Sequence, residues 1–240
     1  MSLDELFKAS KELNYSQSNG MIKVNEMRGP GFFPGCTGTI DSLENISGLR
    51  FMILGQDFDT KANHKEINPI KGEIETNTTW RNLRKLLKEV GINEKECFFT
   101  NAYMGLRPDN TKSAKTKNTG KSPAAKKGAE GFSDQCLKFF KTQLQIVKPE
   151  VVLVLGKETA QFVANAFPEC SKWSHIKTLK TFYENETTVF AEVTFDNRSI
   201  HFLFVIHPSL NIVNRSKIWG KEEGKEKEQK LLKKLLSGIS

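Results

Sequence analysis

The run Val151 to Leu155, VVLVL, constrains this chain more than any other stretch. Consecutive apolar β-formers leave no polar residue to face water, so such a strand must be buried on both faces. A helical pattern precedes it. Phe132 to Val147 places Leu137, Phe140, Leu144 and Val147 on one side, and Lys148-Pro149 ends it. Gly156 leads into a further helix to about Ala166. Helix, strand, helix in that order is how a covered parallel sheet is written. Three other segments fit it: Phe51 to Leu54 stopping at Gly55, Cys97 to Asn101, and Ile200 to Ile206. Between the first two, Thr79 to Val90 carries Leu83, Leu86, Leu87 and Val90 as an apolar stripe, with Gly91 as its natural stop. The expected architecture is α/β, a three-layer α/β/α sandwich with a central, mostly parallel sheet, in a single domain over residues 1–240.

The remaining segments are less regular. Ser2 to Asn14 reads as an amphipathic helix with a capping-box pair, Ser2 and Glu5. Met27 to Gly38 is loop chemistry dense in Gly and Pro, with Phe32 and Phe33 as expected core anchors. Residues 108–131 are poor in apolar residues and rich in lysine, which predicts a flexible basic loop. Its TGKS, Thr119 to Ser122, imitates the tail of a phosphate-binding loop. Lys115 stands where the leading glycine belongs and no strand precedes it, so nucleoside-triphosphate binding is rejected. Ile176 to Ser199 predicts a hairpin turning at Asn185 or at Asp196-Asn197, and Lys221 to Leu236 a charged helix.

Composition narrows the function. The net charge of +8 favours a polyanionic partner. No apolar run approaches the length of a membrane span, and the first ten residues lack a signal-peptide pattern, so the reading is cytoplasmic, with no membrane partner. Cys36, Cys97, Cys136 and Cys170 are scattered without metal-ligand or disulfide spacing. No metal or cofactor is expected, and the chain reads as a monomer.

Chemistry concentrates at the strand ends. In open α/β sheets, ligands bind beyond the carboxyl ends of the strands. There stand Gln56, Asp57, Phe58 and Asp59 after the first strand, Asn101 at the end of the second, and His207-Pro208-Ser209 after the last. A carboxylate, an amide that donates and accepts, and an imidazole complement one another. Taken singly, each has a plain structural role as turn or cap.

Together these residues resemble the uracil-DNA glycosylase superfamily. Gly55-Gln56-Asp57 looks like its water-activating motif, and His207-Pro208-Ser209 like its leucine-loop motif. Phe99-Thr100-Asn101, followed by Leu106-Arg107-Pro108, is similar to the base-contacting segment between them. Pro149 to Gly156 also matches a structural strand of the iron–sulfur branch, although the cysteines lack cluster spacing. The resemblance implies catalysis by Asp57 and His207 and substrate contacts from Gln56, Asn101 and Ser209; Phe58 and Asp59, next to Asp57, are expected to meet the substrate as well. It implies DNA as partner, and the basic and loop residues expected to contact it are Arg107, Lys112, Lys115, Lys117, Leu210, Asn211 and Arg215. The implied reaction is hydrolysis of the N-glycosidic bond of uracil or a 5-modified pyrimidine, in repair or anti-phage defence. A non-catalytic nucleic-acid binder of the same superfamily is the alternative. One departure bears on substrate. The best-known branch follows its Asp with Pro-Tyr, and that Tyr excludes a 5-methyl group; here Phe58-Asp59 follows.

Overall fold

The computed structural model describes residues 3–14, 22–23, 46–58, 78–107, 132–210, 215, 218–219 and 224–239. The basic loop 108–131, with Lys112, Lys115 and Lys117, lies outside the described residues, as do Ser2, Phe32, Phe33, Asp59 and Asn211.

The described elements are α1 (Leu3–Lys11), β1 (Ile22–Lys23), β2 (Phe51–Gly55), α2 (Thr78–Val90), β3 (Cys97–Asn101), β4 (Gly105–Leu106), α3 (Phe132–Val147), β5 (Val151–Leu155), α4 (Lys157–Ala166), α5 (Leu179–Tyr183), β6 (Phe190–Phe195), β7 (Arg198–Val205) and α6 (Gly224–Ser237). A five-stranded sheet runs β3-β2-β5-β7-β6. The first four strands are parallel, and β6 joins β7 antiparallel at the edge. The sheet is therefore mixed but mostly parallel, with β5 at its centre, as its all-apolar sequence demands.

Side chains alternate between two cores, the period-two consequence of the pleat. Met52, Leu54, Phe98, Val152, Val154, Phe202 and Phe204 join the larger cluster, which includes Leu6 of α1, Phe140 of α3 and Phe162 of α4. Phe51, Ile53, Phe99, Val151, Leu153, Leu203 and Val205 face the other way, onto Trp80, Leu83 and Leu87 of α2 and Leu232 of α6. Helices on both faces complete the three layers.

Local chemistry sets the boundaries. Gly91, at φ +80, ends α2 with paired bonds, Gly91 N–H to Lys88 C=O and Ile92 N–H to Leu87 C=O. That is the Schellman arrangement, which a residue free to take positive φ makes cheap. Asp196 and Asn197, both at positive φ, form the two-residue turn between β6 and β7. The predicted hairpin is correct there but too long. Residues 178–189 instead form α5 and a 3-10 turn, because Thr178 accepts from the Thr181 N–H and Asn185 from the Thr187 N–H, capping both.

Candidate active site

The C-terminal ends of β3, β2, β5 and β7 form one rim, with neighbouring strands about 4.8 Å apart. Gly55 pairs in register with Asn101, so the residues that follow them start level. Backbone bonds then hold the two outgoing segments side by side. Ala102 N–H donates to Gly55 C=O at 2.8 Å, and Tyr103 N–H to Gln56 C=O at 2.8 Å. Phe58 N–H reaches Gly105 C=O at 3.3 Å. Gln56 is half-buried, while Phe58 turns into the larger core. Phe58 and Trp80 are core residues, and Trp80 packs at 5.0 Å on Phe99.

Asp57 lies under this cover with its side chain 5% exposed. Its Oδ2 stands 3.1 Å from Nε of Arg107, which is 25% exposed. The atoms meet as an ion pair without hydrogen-bond alignment. Arg107, expected against DNA, thus faces the carboxylate. Asn101 is fully buried, and neither its Nδ2 nor its Oδ1 finds a hydrogen-bond partner among the described residues. An amide left so costs about 1–3 kcal/mol for each unsatisfied group. A buried amide left so calls for a partner, and a ligand entering at the rim is one that would supply it.

At the other end of the rim, Nδ1 of His207 accepts from the Ser209 N–H at 3.3 Å and lies 2.7 Å from Ser209 Oγ. A backbone N–H can only donate. Nδ1 is therefore an acceptor, and the neutral ring carries its proton on Nε2. Leu210 N–H closes the turn onto His207 C=O at 2.9 Å, and Asn82 of α2 donates to Pro208 C=O at 2.8 Å. Leu210, expected as a wedge into DNA, is partly buried against the larger core. Arg215, expected at the DNA surface, points inward to Glu228 and to the His207 loop.

Two participants went unnoticed in the sequence. Gly156 ends β5 between the Asp57 and His207 strands, at φ +87. A Cβ there would lie 3.1 Å from Cβ of His207 and 3.5 Å from its Cδ2. Glycine therefore clears the space the imidazole occupies. Glu158, on the first turn of α4, is a second carboxylate near Asp57. Burial raises its carboxyl above the ordinary range, and the Asp57 charge pushes the same way. A glycine closing an apolar strand is the signal that could have found the first. Glu158 carried none.

No group of three or more His, Cys, Asp or Glu residues among the described residues is placed to hold a metal. Burial raises the thiols of Cys97, Cys136 and Cys170, to about 12 for the latter two, so these are inert core residues. No described helix is long and apolar enough to cross a membrane.

A family model for the uracil DNA glycosylase superfamily matches residues 43–236. The chain belongs to that superfamily. The match takes in every strand of the five-stranded sheet and the rim described above. Membership brings a DNA glycosylase-like activity in general, and DNA as the substrate class. No curated protein matches the chain.

Proposed function

We propose that this glycosylase-superfamily protein hydrolyses the N-glycosidic bond of uracil or a 5-modified pyrimidine in DNA, leaving an abasic site. The observation that carries the reading is the buried, unpaired amide of Asn101 level with the end of the Asp57 strand. A primary amide pairs with the Watson–Crick edge of a pyrimidine turned out of its stack. Asn101 is covered in the free chain, so base entry must part whatever covers it.

The chemistry follows from charge. As the bond from the sugar's anomeric carbon to the base nitrogen breaks, its electrons leave with the base and the sugar becomes cationic. Asp57 stabilises that cation and orients the water whose oxygen adds to the anomeric carbon. The proton lost from the water balances the negative charge of the departing base. His207 donates from Nε2 to the pyrimidine oxygen where that charge gathers, a task for which its tautomer is already set. Gln56 and Ser209 hold base and phosphate. Lys112, Lys115 and Lys117 supply sequence-independent phosphate contacts.

Substrate breadth rests on sequence. No tyrosine follows Asp57 to exclude a substituent at C5; Phe58-Asp59 stands there. An ionised Asp59 accepts hydrogen bonds from a hydroxylated substituent. The test is incubation with oligonucleotides carrying uracil, 5-hydroxymethylcytosine or glucosylated cytosine, scoring freed base and abasic sites. Release of modified base at least matching uracil is the expected result, and efficient uracil release with modified DNA intact removes the open-pocket reading. Tight DNA binding with no release from any substrate favours the non-catalytic alternative.

A further inference from the structure

The polar cluster behind the His207 loop has no part in the chemistry above. Glu228 of α6 is 2% exposed and Arg215 is 12% exposed, yet both are charged residues. Oε2 of Glu228 takes Nε and Nη2 of Arg215, each at 3.0 Å. Its Oε1 accepts the Ile206 N–H at 2.8 Å, and the Tyr183 hydroxyl approaches it at 3.5 Å. The guanidinium then reaches both ends of the loop. Nη1 donates to Leu210 C=O at 2.8 Å, and Nη2 lies 3.4 Å from Ile206 C=O. Ile206 and Leu210 flank His207-Pro208-Ser209 on either side.

We propose that the Arg215–Glu228 pair is a positioning device for His207, which makes α6 part of the active site although none of its residues meets substrate. The inference rests on the reading of His207 as the donor to the departing base. Three arguments support it. First, burying two charges costs desolvation that their attraction only offsets when the geometry is good, so stability alone is a poor reason to keep the pair; apolar residues of similar volume serve as well. Second, the bonds go to the backbone of the loop. The carboxylate takes the N–H of the residue before His207, and one rigid fork of donors holds carbonyls before and after the turn. Third, with Asn82 on Pro208 and the Leu210 N–H on His207, the loop is tied at residues 206, 207, 208 and 210. Little backbone freedom remains to carry the imidazole off its target. Arg215 is then a brace, and its guanidinium is already committed inside.

The brace and the DNA-contact reading of Arg215 separate kinetically. Arg215→Lys keeps the charge but cannot hold both carbonyls, and Glu228→Gln keeps an acceptor for Ile206 but loses the ion pair. Single-turnover excision from a uracil oligonucleotide is expected to slow by up to about 100-fold in each, the scale set by misplacing a catalytic group by about an ångström. KM and the salt dependence of DNA binding should hold. A phosphate-contact role predicts the reverse for Arg215→Lys: a raised KM, an altered salt response and an intact kcat. In a His207→Ala background, Glu228→Gln should cost little more, because its effect passes through His207; full additivity overturns the proposal.

Nitrogen NMR of the His207 ring reads the brace without any turnover. Wild-type protein should show Nδ1 as the acceptor, and the variants a mixed or broadened signal. An unchanged signal overturns the brace. Absence of base release by wild-type protein from every substrate would instead remove the glycosylase reading, with the ring signal still deciding this one. If both charge variants fail to fold, Tyr183→Phe trims one weak bond from Glu228. A shifted ring signal in it sustains the proposal, and an unchanged one overturns it.

Discussion

The two ends of the rim are built in opposite ways. Around His207 the polar groups described are matched: Nδ1 to Ser209, Pro208 C=O to Asn82, and Ile206 and Leu210 to the Arg215–Glu228 cluster. Around Asn101 the backbone is equally well tied, yet the side-chain amide has no hydrogen-bond partner among the described residues. One end is tied within the chain, and the other is left for the proposed substrate to complete. The contrast suits their proposed tasks. A donor to developing charge works best when it is already in place. A reader of base identity discriminates best when the wrong base leaves it unsatisfied.

The largest effect expected from breaking this arrangement is at Asp57, which stands between the two ends. Asp57→Asn should lower single-turnover base release by about 1,000-fold or more, within the range for a positioned catalytic carboxylate. DNA affinity should hold or rise, since a negative charge near phosphate is removed. Turnover close to wild type would transfer the role to Asp59 or Glu158.

Next comes Asn101→Leu, where rate and stability should move apart. Excision is expected to fall by about 100-fold through lost base contacts. Thermal and denaturant stability should rise, because replacing an orphaned buried amide by an apolar group of similar shape removes a cost of about 1–3 kcal/mol. A loss of stability would mean that the amide has a structural partner after all, and the contrast between the two ends would collapse.

A smaller effect is expected at Gly156→Ala. The positive φ and the 3.1 Å approach to His207 both penalise a Cβ. Together they should cost about 1–3 kcal/mol in denaturant unfolding, with a drop in excision as the imidazole shifts. Unchanged unfolding and rate would show that the β5 end has slack.

The smallest is a pH effect at Glu158. Its folded carboxyl titrates above the ordinary range, through burial first and the Asp57 charge after it. The folded state therefore holds its proton where the unfolded chain has begun to lose it. This group favours folding most below its unfolded value, about 4.3, and that support fades as pH rises through the raised value. In denaturant titrations across that range, the stability of wild type relative to Glu158→Gln should fall as pH rises. An identical slope in the variant would mean that the folded chain does not raise this carboxyl at all, by burial or by the Asp57 charge.

How much of this was legible from the sequence depends on what each feature required. Strands buried on both faces write themselves as apolar runs, so VVLVL and its partners, and the rim they create, were readable. Gln56, Asp57, Asn101 and His207 followed because each stands beside such a run. The charged residues did not. Arg107 and Arg215 lie near the motifs and were assigned to DNA, the outlet a basic chain suggests. One instead meets a buried carboxylate, and the other a glutamate in a lysine-rich helix that reads as solvated. Only three-dimensional neighbours separate a phosphate contact from an internal brace. The segment 178–189 was misread for a related reason: Thr178 and Asn185 cap helical turns through side-chain bonds that strand-like alternation does not reveal.

The central strand β5 holds one further lesson. It is flanked by parallel neighbours on both sides and is wholly buried, so its amides should be among the slowest to exchange with heavy water. At the rim it contributes a glycine. The most buried part of the described sheet thus supplies the gap, while Asp57 and His207 follow the strands on either side. Opening the loops for a base need not unzip the ladder beneath them. Exchange there should proceed on its own, faster clock while the centre of the sheet stays closed.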